Sequence, residues 1–246
     1  DLIAKYGADG VRVGMLLCSP AGNDLLFDEN LTEQGRNFGN KIWNAFRLVS
    51  GWEESADLEQ PETAALANSW FSAKLNQALE QINDHYDKYR LSDALMTIYR
   101  LFWDDFSSWY LEMIKPEYEH PIDQKTKQEA LDLMEKLLAI LHPFMPFISE
   151  ELWQAIDSRK EGEALMVSNM PRPIEFDKKL LDRFDRVKDL IVFIRSVRAE
   201  KNIPQKNQMV LQVRPVEGRY EGEFNSIIKK LGNLESIDIV EDAPES

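Results

Sequence analysis

A single cysteine, Cys18, stands in 246 residues, so no internal disulfide can form and a reducing compartment, the cytoplasm, is expected. Glycine and proline are sparse at 11 each, which excludes collagen-like and linker-dominated chains. Long apolar runs are missing as well. Pieces such as Val11–Cys18 and Pro143–Ile148 stop well short of the ~20 residues a membrane span needs. The opening Asp1-Leu2-Ile3 has no methionine, basic stretch or apolar core, so no secretory signal is expected. Only three histidines occur, His85, His120 and His142, and none has a second ligand type at metal spacing. No metal site is therefore expected. No Gly-rich phosphate fingerprint is present, and nothing around Cys18 marks it as a nucleophile, so a buried structural thiol is the better reading. The residues nominate no catalytic group and no cofactor.

Basic residues are also in deficit: 29 against 43 acidic ones, a net charge of −14. That balance argues against a simple nucleic-acid coat, which carries a basic excess. The average hides segregation, however. No acid occurs between Glu33 and Glu53, a window holding Arg36, Lys41 and Arg47. Another acid-free window, Lys201 to Val216, carries Lys201, Lys206 and Arg214. The acids gather elsewhere, at Glu53, Glu54, Asp57, Glu59 and Glu62, and again at Glu235, Asp238, Glu241, Asp242 and Glu245.

What is present is helical periodicity. Asp1–Cys18 reads as a helical hairpin broken near Gly7, followed by a loop over Ser19–Asp24. Asn30 and Glu33 have capping-box spacing and open a long helix to about Ser50. An acidic connection with Pro61 leads to a helix carrying Trp70, Leu75, Leu79, Ile82 and Tyr86. Ser92 is the candidate cap of the next, whose rings Tyr99, Phe102, Trp103, Phe106, Trp109 and Tyr110 line one wide face and read as core. Asp104-Asp105 reads as its wet side. Helices over about 123–141 and up to Ile156 follow, then a possible short strand at Met166–Asn169 and a helix over about 177–201. Met209–Arg214 alternates like a strand, Phe224–Leu231 like a short helix and Ser236–Val240 like a second strand. The fold class is mainly α, a helix bundle with a small α+β C-terminal appendage.

One helix carries more than packing. At about 100° per residue, Asn37, Asn40, Lys41, Asn44 and Leu48 share a face with Arg47 at its edge, while Phe38, Ile42, Ala45, Phe46 and Val49 lie opposite. Buried on its greasy side, this helix shows three amides, two cations and an exposed leucine. Amides can read the edges of unpaired bases, and Lys and Arg can hold phosphates. An ordinary solvated helix face has the same composition, so the residues alone leave both readings open.

Several stretches resemble the valyl-tRNA synthetases, class I enzymes. Arg36–Val49 is similar to their RNF-NKLWNA-RFV helix, and Leu141–Ile148 with Glu150-Glu151-Leu152-Trp153 is the clearest match. Lys5–Asp9 with Arg12, Ser19-Pro20 with Asp24 and Phe27-Asp28, Asp105-Phe106 with Trp109–Glu112, and Ile194–Pro204 follow the family's order. The resemblance implies an anticodon-binding domain of the class I synthetase type, over 29–160. A connection from the catalytic domain would occupy 1–28, and a linker, long helix and small tail 161–246. It implies a valine–tRNA ligase that charges valine tRNA with ATP and Mg, of which this chain is a fragment without catalytic residues or cofactor. The partner implied is valine tRNA, bound by a monomer, with no DNA or membrane partner. Asn40, Lys41, Asn44 and Arg47 carry over as anticodon contacts letter for letter, and Arg36 and Asn37 also match. Leu48 departs from the family's usual Phe, removing a ring that could stack on a base. The alternatives are an isoleucyl-type synthetase, whose region lacks these strings, and a helical protein–protein scaffold that no longer binds RNA.

Overall fold

The structure, a computed structural model, describes residues 1–19, 26–204, 206–214 and 220–240. Most of the expected loop, from Pro20 to Asp24, lies outside the described residues, as does the acidic end 241–246.

Helix α1, Leu2–Leu17, is interrupted at Gly7, whose φ of 75° favours glycine over any residue with a Cβ. Helix α2, Glu29–Ser50, crosses α1 at backbone contact. A Cβ on Gly14 would lie 2.5 Å from Thr32 Oγ1, and one on Gly35 would lie 2.6 Å from the Gly10 carbonyl. At Gly14 and Gly35 a side chain is excluded because there is no room for one. The cap of α2 is Asp28, which accepts from the Asn30 amide at 2.9 Å. The expected Asn30–Glu33 box does not form, because Asn30 is already inside the helix. Asp28 supplies both an acceptor and a negative charge to the positive helix end. Its own amide donates to the buried Cys18 Sγ at 3.3 Å, so the thiol is structural.

The acidic connection contains a two-residue strand, β1 (Glu54–Ser55), parallel to β2 (Ile122–Asp123). Between them run α3 (Glu62–Asp87) and α4 (Leu91–Arg100). Ser92 does not cap α4: its hydroxyl donates to the Leu16 and Ser19 carbonyls at 2.6 and 2.9 Å, tying α4 to the end of α1. From Leu101 to Tyr110 the chain then winds as a π-helix, with α5 (Leu111–Ile114) completing the rod. A regular 3.6-residue pattern does not anticipate these wider i→i+5 turns. They set Phe102, Phe106 and Tyr110 in a ladder with successive centroids 5.3 Å apart.

One face assignment is overturned within this segment. Asp104 is exposed, but Asp105 points inward and is buried, 3.4 Å from Lys188 Nζ. Burial pushes its carboxyl pKa upward, and the Lys74 and Lys188 ammoniums pull it back. Trp103 and Trp109 are half-buried at the margin instead of inside the core with Phe102 and Phe106.

Helix α6, Gln124–Leu141, is capped by Asp123, which accepts from the Thr126 amide at 2.7 Å. Helix α7, Pro146–Ile156, starts on a proline that has no amide to lose. Its cap comes from far away in sequence. Asp9 of α1 accepts from the Ile148 and Phe147 amides at 2.8 and 3.3 Å, and Arg12 donates to the Pro143 and Phe144 carbonyls at 3.0 and 3.1 Å. The His142–Ile148 turn is thereby fastened to α1. At Met166–Asn169 the expected strand is replaced by a 3-10 turn, Leu165–Val167, because the Leu165 amide donates to the Glu150 carboxylate at 2.9 Å instead of to a strand.

Helix α8, Lys178–Glu200, buries Leu181, Phe184, Val187, Ile191 and Ile194. Phe184 meets Trp70 with centroids 4.4 Å apart, which joins α8 to α3. Strand β3 (Met209–Val213), a 3-10 turn at Gly222–Phe224, helix α9 (Asn225–Gly232) and strand β4 (Leu234–Ile239) form the small end. Its two strands are parallel, with α9 in the connection between them. Buried Arg198 holds this end to α8 through the Pro204 and Asn207 carbonyls at 2.9 and 2.7 Å. Lys230 reaches the Met113 and Lys115 carbonyls, each at 2.7 Å. The architecture is mainly α, with a small α+β end.

Candidate nucleic-acid interface

Helix α2 positions every sequence-predicted site residue. Phe38, Ile42, Ala45 and Val49 are buried, and Phe46 is half-buried, so the greasy face is anchored along its whole length. A helix held this way keeps the opposite side chains in fixed register. Asn37, Asn40, Asn44 and Arg47 are exposed on that side and run parallel to the axis. The first three spacings follow helical neighbours at i+3 and i+4, so the amides form a row.

The remaining candidates are not free. Lys41 is half-buried, with Nζ 5.4 Å from the centre of the Trp103 ring, which stacks on Tyr99 at 5.4 Å and 12°. This seat is a cation–π contact and leaves the ammonium on the rim of the face. Arg36 is half-buried as well. Its guanidinium lies 5.6 Å from the Tyr6 ring and donates to Glu33 Oε1 at 3.0 Å and to Asn37 Oδ1 at 3.4 Å. Tyr6 in turn donates to Glu29, which also pairs with Lys5 at 2.8 Å. Arg36 thus belongs to a network joining α1 to α2, and it orients Asn37. The Lys5 partner holds the Glu29 carboxyl below the usual carboxylate range, so the network stays charged at neutral pH.

Leu48 differs from expectation. It is half-buried and packs against the core, not exposed at the end of the row. On the helix surface Lys41 and Leu48 lie toward one flank, and the wet ridge runs through Asn40, Asn44 and Arg47. The row therefore has an exposed polar ridge with one apolar shoulder.

Two aromatic side chains that the sequence pattern left unassigned stand near this ridge. Trp43 is 41% exposed and lies beside Phe46, their centroids 6.3 Å apart. Phe147, at the start of α7, is 65% exposed. The position of Trp43 was readable from the helical wheel, between the cations Arg36 and Arg47. That of Phe147 was not, because it depends on how α7 docks on α1. Chemically, the ridge offers amide donors and acceptors, the exposed guanidinium of Arg47 and flat apolar edges. It has, among the described residues, no nucleophile with a base beside it. Among the described residues no three His, Cys, Asp or Glu side chains come together in a way that could hold a metal ion, and no helix is long and apolar enough to cross a membrane.

Comparison with known proteins adds the following. Residues 68–214 match the model of the family described as the anticodon-binding domain of tRNA ligase. The valine–tRNA ligase of Phocaeicola vulgatus is 56% identical over 98% of this chain and 27% of its own length. That of Parabacteroides distasonis is 52% identical over the same shares. That of Thermotoga maritima is 31% identical over 99% of this chain and 28% of its own length. The chain thus spans little more than a quarter of the curated relatives it matches. Helix α2 lies before the matched stretch 68–214 but inside the region aligned with these ligases.

Proposed function

The chain belongs to the anticodon-binding domain family of tRNA ligases, and we propose that it is the part of a valine–tRNA ligase that recognises the anticodon of valine tRNA. In this reading the whole ligase attaches valine with ATP and Mg in the cytoplasm, and these residues contribute recognition without catalysis. The connection 1–28 then couples the recognition body 29–160 to the catalytic part, through Asp9 and Arg12 on the α7 turn.

The observation that carries the reading is the exposed row Asn37, Asn40, Asn44 and Arg47 on a helix whose other side is fully anchored. An anticodon loop presents unstacked bases, and base edges are read by groups that both donate and accept. The amides of Asn40 and Asn44 do both. Arg47 and Lys41 are placed to hold phosphates, which position the loop without reading it. The net charge of −14 does not forbid this, since exposed charges beyond about 8–10 Å are screened at physiological salt. Arg36, held by Tyr6 and Glu33, acts as a support for Asn37 instead of a contact. Leu48 contributes apolar packing in place of a stacking ring.

Titration of this chain with valine tRNA and with the same tRNA carrying a swapped anticodon tests the proposal. Tighter binding of the cognate RNA is expected. Asn44→Ala should reduce that preference by roughly 1–3 kcal/mol if the amide makes a two-point base contact. Lys41→Ala should weaken both RNAs alike and lower the salt slope by somewhat less than one unit. Equal affinity of the unaltered chain for the two RNAs would sink the assignment and favour the helical scaffold.

A further inference from the structure

Next to the α2 ridge, helices α1, α2 and α7 leave an open groove of about 670 Å³. Trp43, 41% exposed, and Phe147, 65% exposed, both line it, and large rings sharing one groove present an apolar patch of the kind that marks a ligand-binding groove. Asn40 belongs both to the ridge and to the groove, so the two surfaces are continuous.

The groove lining carries a second observation. Gly39 sits in the interior of α2, where glycine weakens a helix relative to alanine. At Gly35, one turn earlier, the crossing with α1 leaves no space for a Cβ. At Gly39 there is space: a Cβ would lie 3.5 Å from Met145 Cε and 3.8 Å from Ile148 Cδ1, ordinary contact distances. The protein's own packing therefore does not require glycine at this position. Gly39 lines the groove together with Asn40, Trp43 and Phe147, and its bare backbone leaves that lining without a methyl group.

The polar members of the groove narrow the occupant. Asp9 is committed to the amides of α7, and one terminal nitrogen of Arg36 to Glu33 and Asn37, while the buried Nε of Arg36 has no partner. Exposed Glu151 and Asn40 remain on the rim. A carboxylate repels phosphate but accepts from an exocyclic amino group, as it does toward cytosine N4. Flat rings, an amide and a carboxylate suit a nucleobase, whose face stacks on aromatic side chains whatever its identity.

We propose that this groove takes one unstacked, amino-bearing base of the bound RNA, stacked against Trp43 and Phe147 with Glu151 accepting from its amino group. The proposal rests on the reading of α2 as an RNA face and extends it to a second, base-sized subsite.

The test uses the 246-residue chain and the anticodon stem–loop of valine tRNA, made in versions with one abasic position moved through the loop. Phe147→Ala should bind the intact hairpin roughly ten-fold more weakly, within the range found for one base–aromatic stack, with its melting temperature unchanged. Gly39→Ala should raise the melting temperature and yet weaken binding several-fold, a pairing that a purely structural role would not produce. One abasic position should weaken the unaltered chain by the same factor and leave Phe147→Ala no further loss. Glu151→Gln should reduce the advantage of an amino-bearing base over uracil at that position. If the unaltered chain prefers its own anticodon but Phe147→Ala and Gly39→Ala bind as it does, the groove proposal falls and the α2 reading stands. If the unaltered chain shows no anticodon preference, both fall.

Discussion

Phe106 and Phe147 have the same side chain and opposite fates. Phe106 is fully buried in the π-helix, 5.2 Å from Phe71 and 5.3 Å from both Phe102 and Tyr110. Phe147 opens α7 with 65% of its surface in solvent, on a groove that Gly35 and Gly39 also line. Between them stand Trp103 and Trp109, half-buried, each with a cation over its ring: Lys41 on the first, Lys188 and Arg195 on the second. Ring content therefore says little about role here. What separates the classes is which neighbours each ring meets, and the interior rings meet one another on several sides.

The comparison can be broken by measuring how much stability each ring carries. The largest effect should come from Phe106→Ala, at about 3–5 kcal/mol, because the cavity left among Phe71, Phe102 and Tyr110 cannot collapse. Urea unfolding reads this directly, and a loss below ~1 kcal/mol would mean the ladder is not the core. Trp103→Ala should cost less, about 1–2 kcal/mol, since only part of its area leaves water on folding. It should also loosen Lys41, visible as a change in the salt dependence of RNA binding.

Asp105 sharpens the contrast from the polar side. Burial raises its carboxyl pKa above the unfolded value, so the folded chain holds that proton more tightly than the unfolded chain does. Its contribution to stability must then fall as pH rises from the ordinary carboxylate range through the raised folded value. Asp105→Asn removes that titration. The stability of the unaltered chain minus that of Asp105→Asn should decline across this window, and a difference that rose instead would show that Lys188 dominates. The smallest effect on stability should be Phe147→Ala, within about 0.5 kcal/mol by thermal melting. A loss of several kcal/mol there would move Phe147 into the core and remove it from the groove.

Much of this was legible in the residues. The long helices appear within a few positions of where period and caps put them, and the alternating segments near the C-terminus are strands. The misses are instructive because each has a long-range cause. Asn30 and Ser92 have the chemistry of caps, but Asp28 is better placed for α2, and Ser92 is drawn to carbonyls of another helix. Asp105 reads as facing water together with Asp104, but it turns inward, where Lys188 of α8 meets it. Leu48 looked exposed on the helical wheel, yet its flank packs on the core.

The row of amides on α2 follows from sequence alone, because helical spacing fixes which side chains share a face once the greasy face is buried. The same holds for the segregation of charge that leaves α2 free of acids after Glu33. Contacts between distant segments are decided only in three dimensions. Asp9 capping α7, Arg12 on the turn at Pro143 and Phe144, and the groove that leaves Trp43 and Phe147 in water all depend on how α1 crosses α2. That crossing is set by backbone-to-backbone approach at Gly10, Gly14 and Gly35. A glycine in a sequence shows only that a side chain is missing, whereas the partner that needs the space is supplied by the fold.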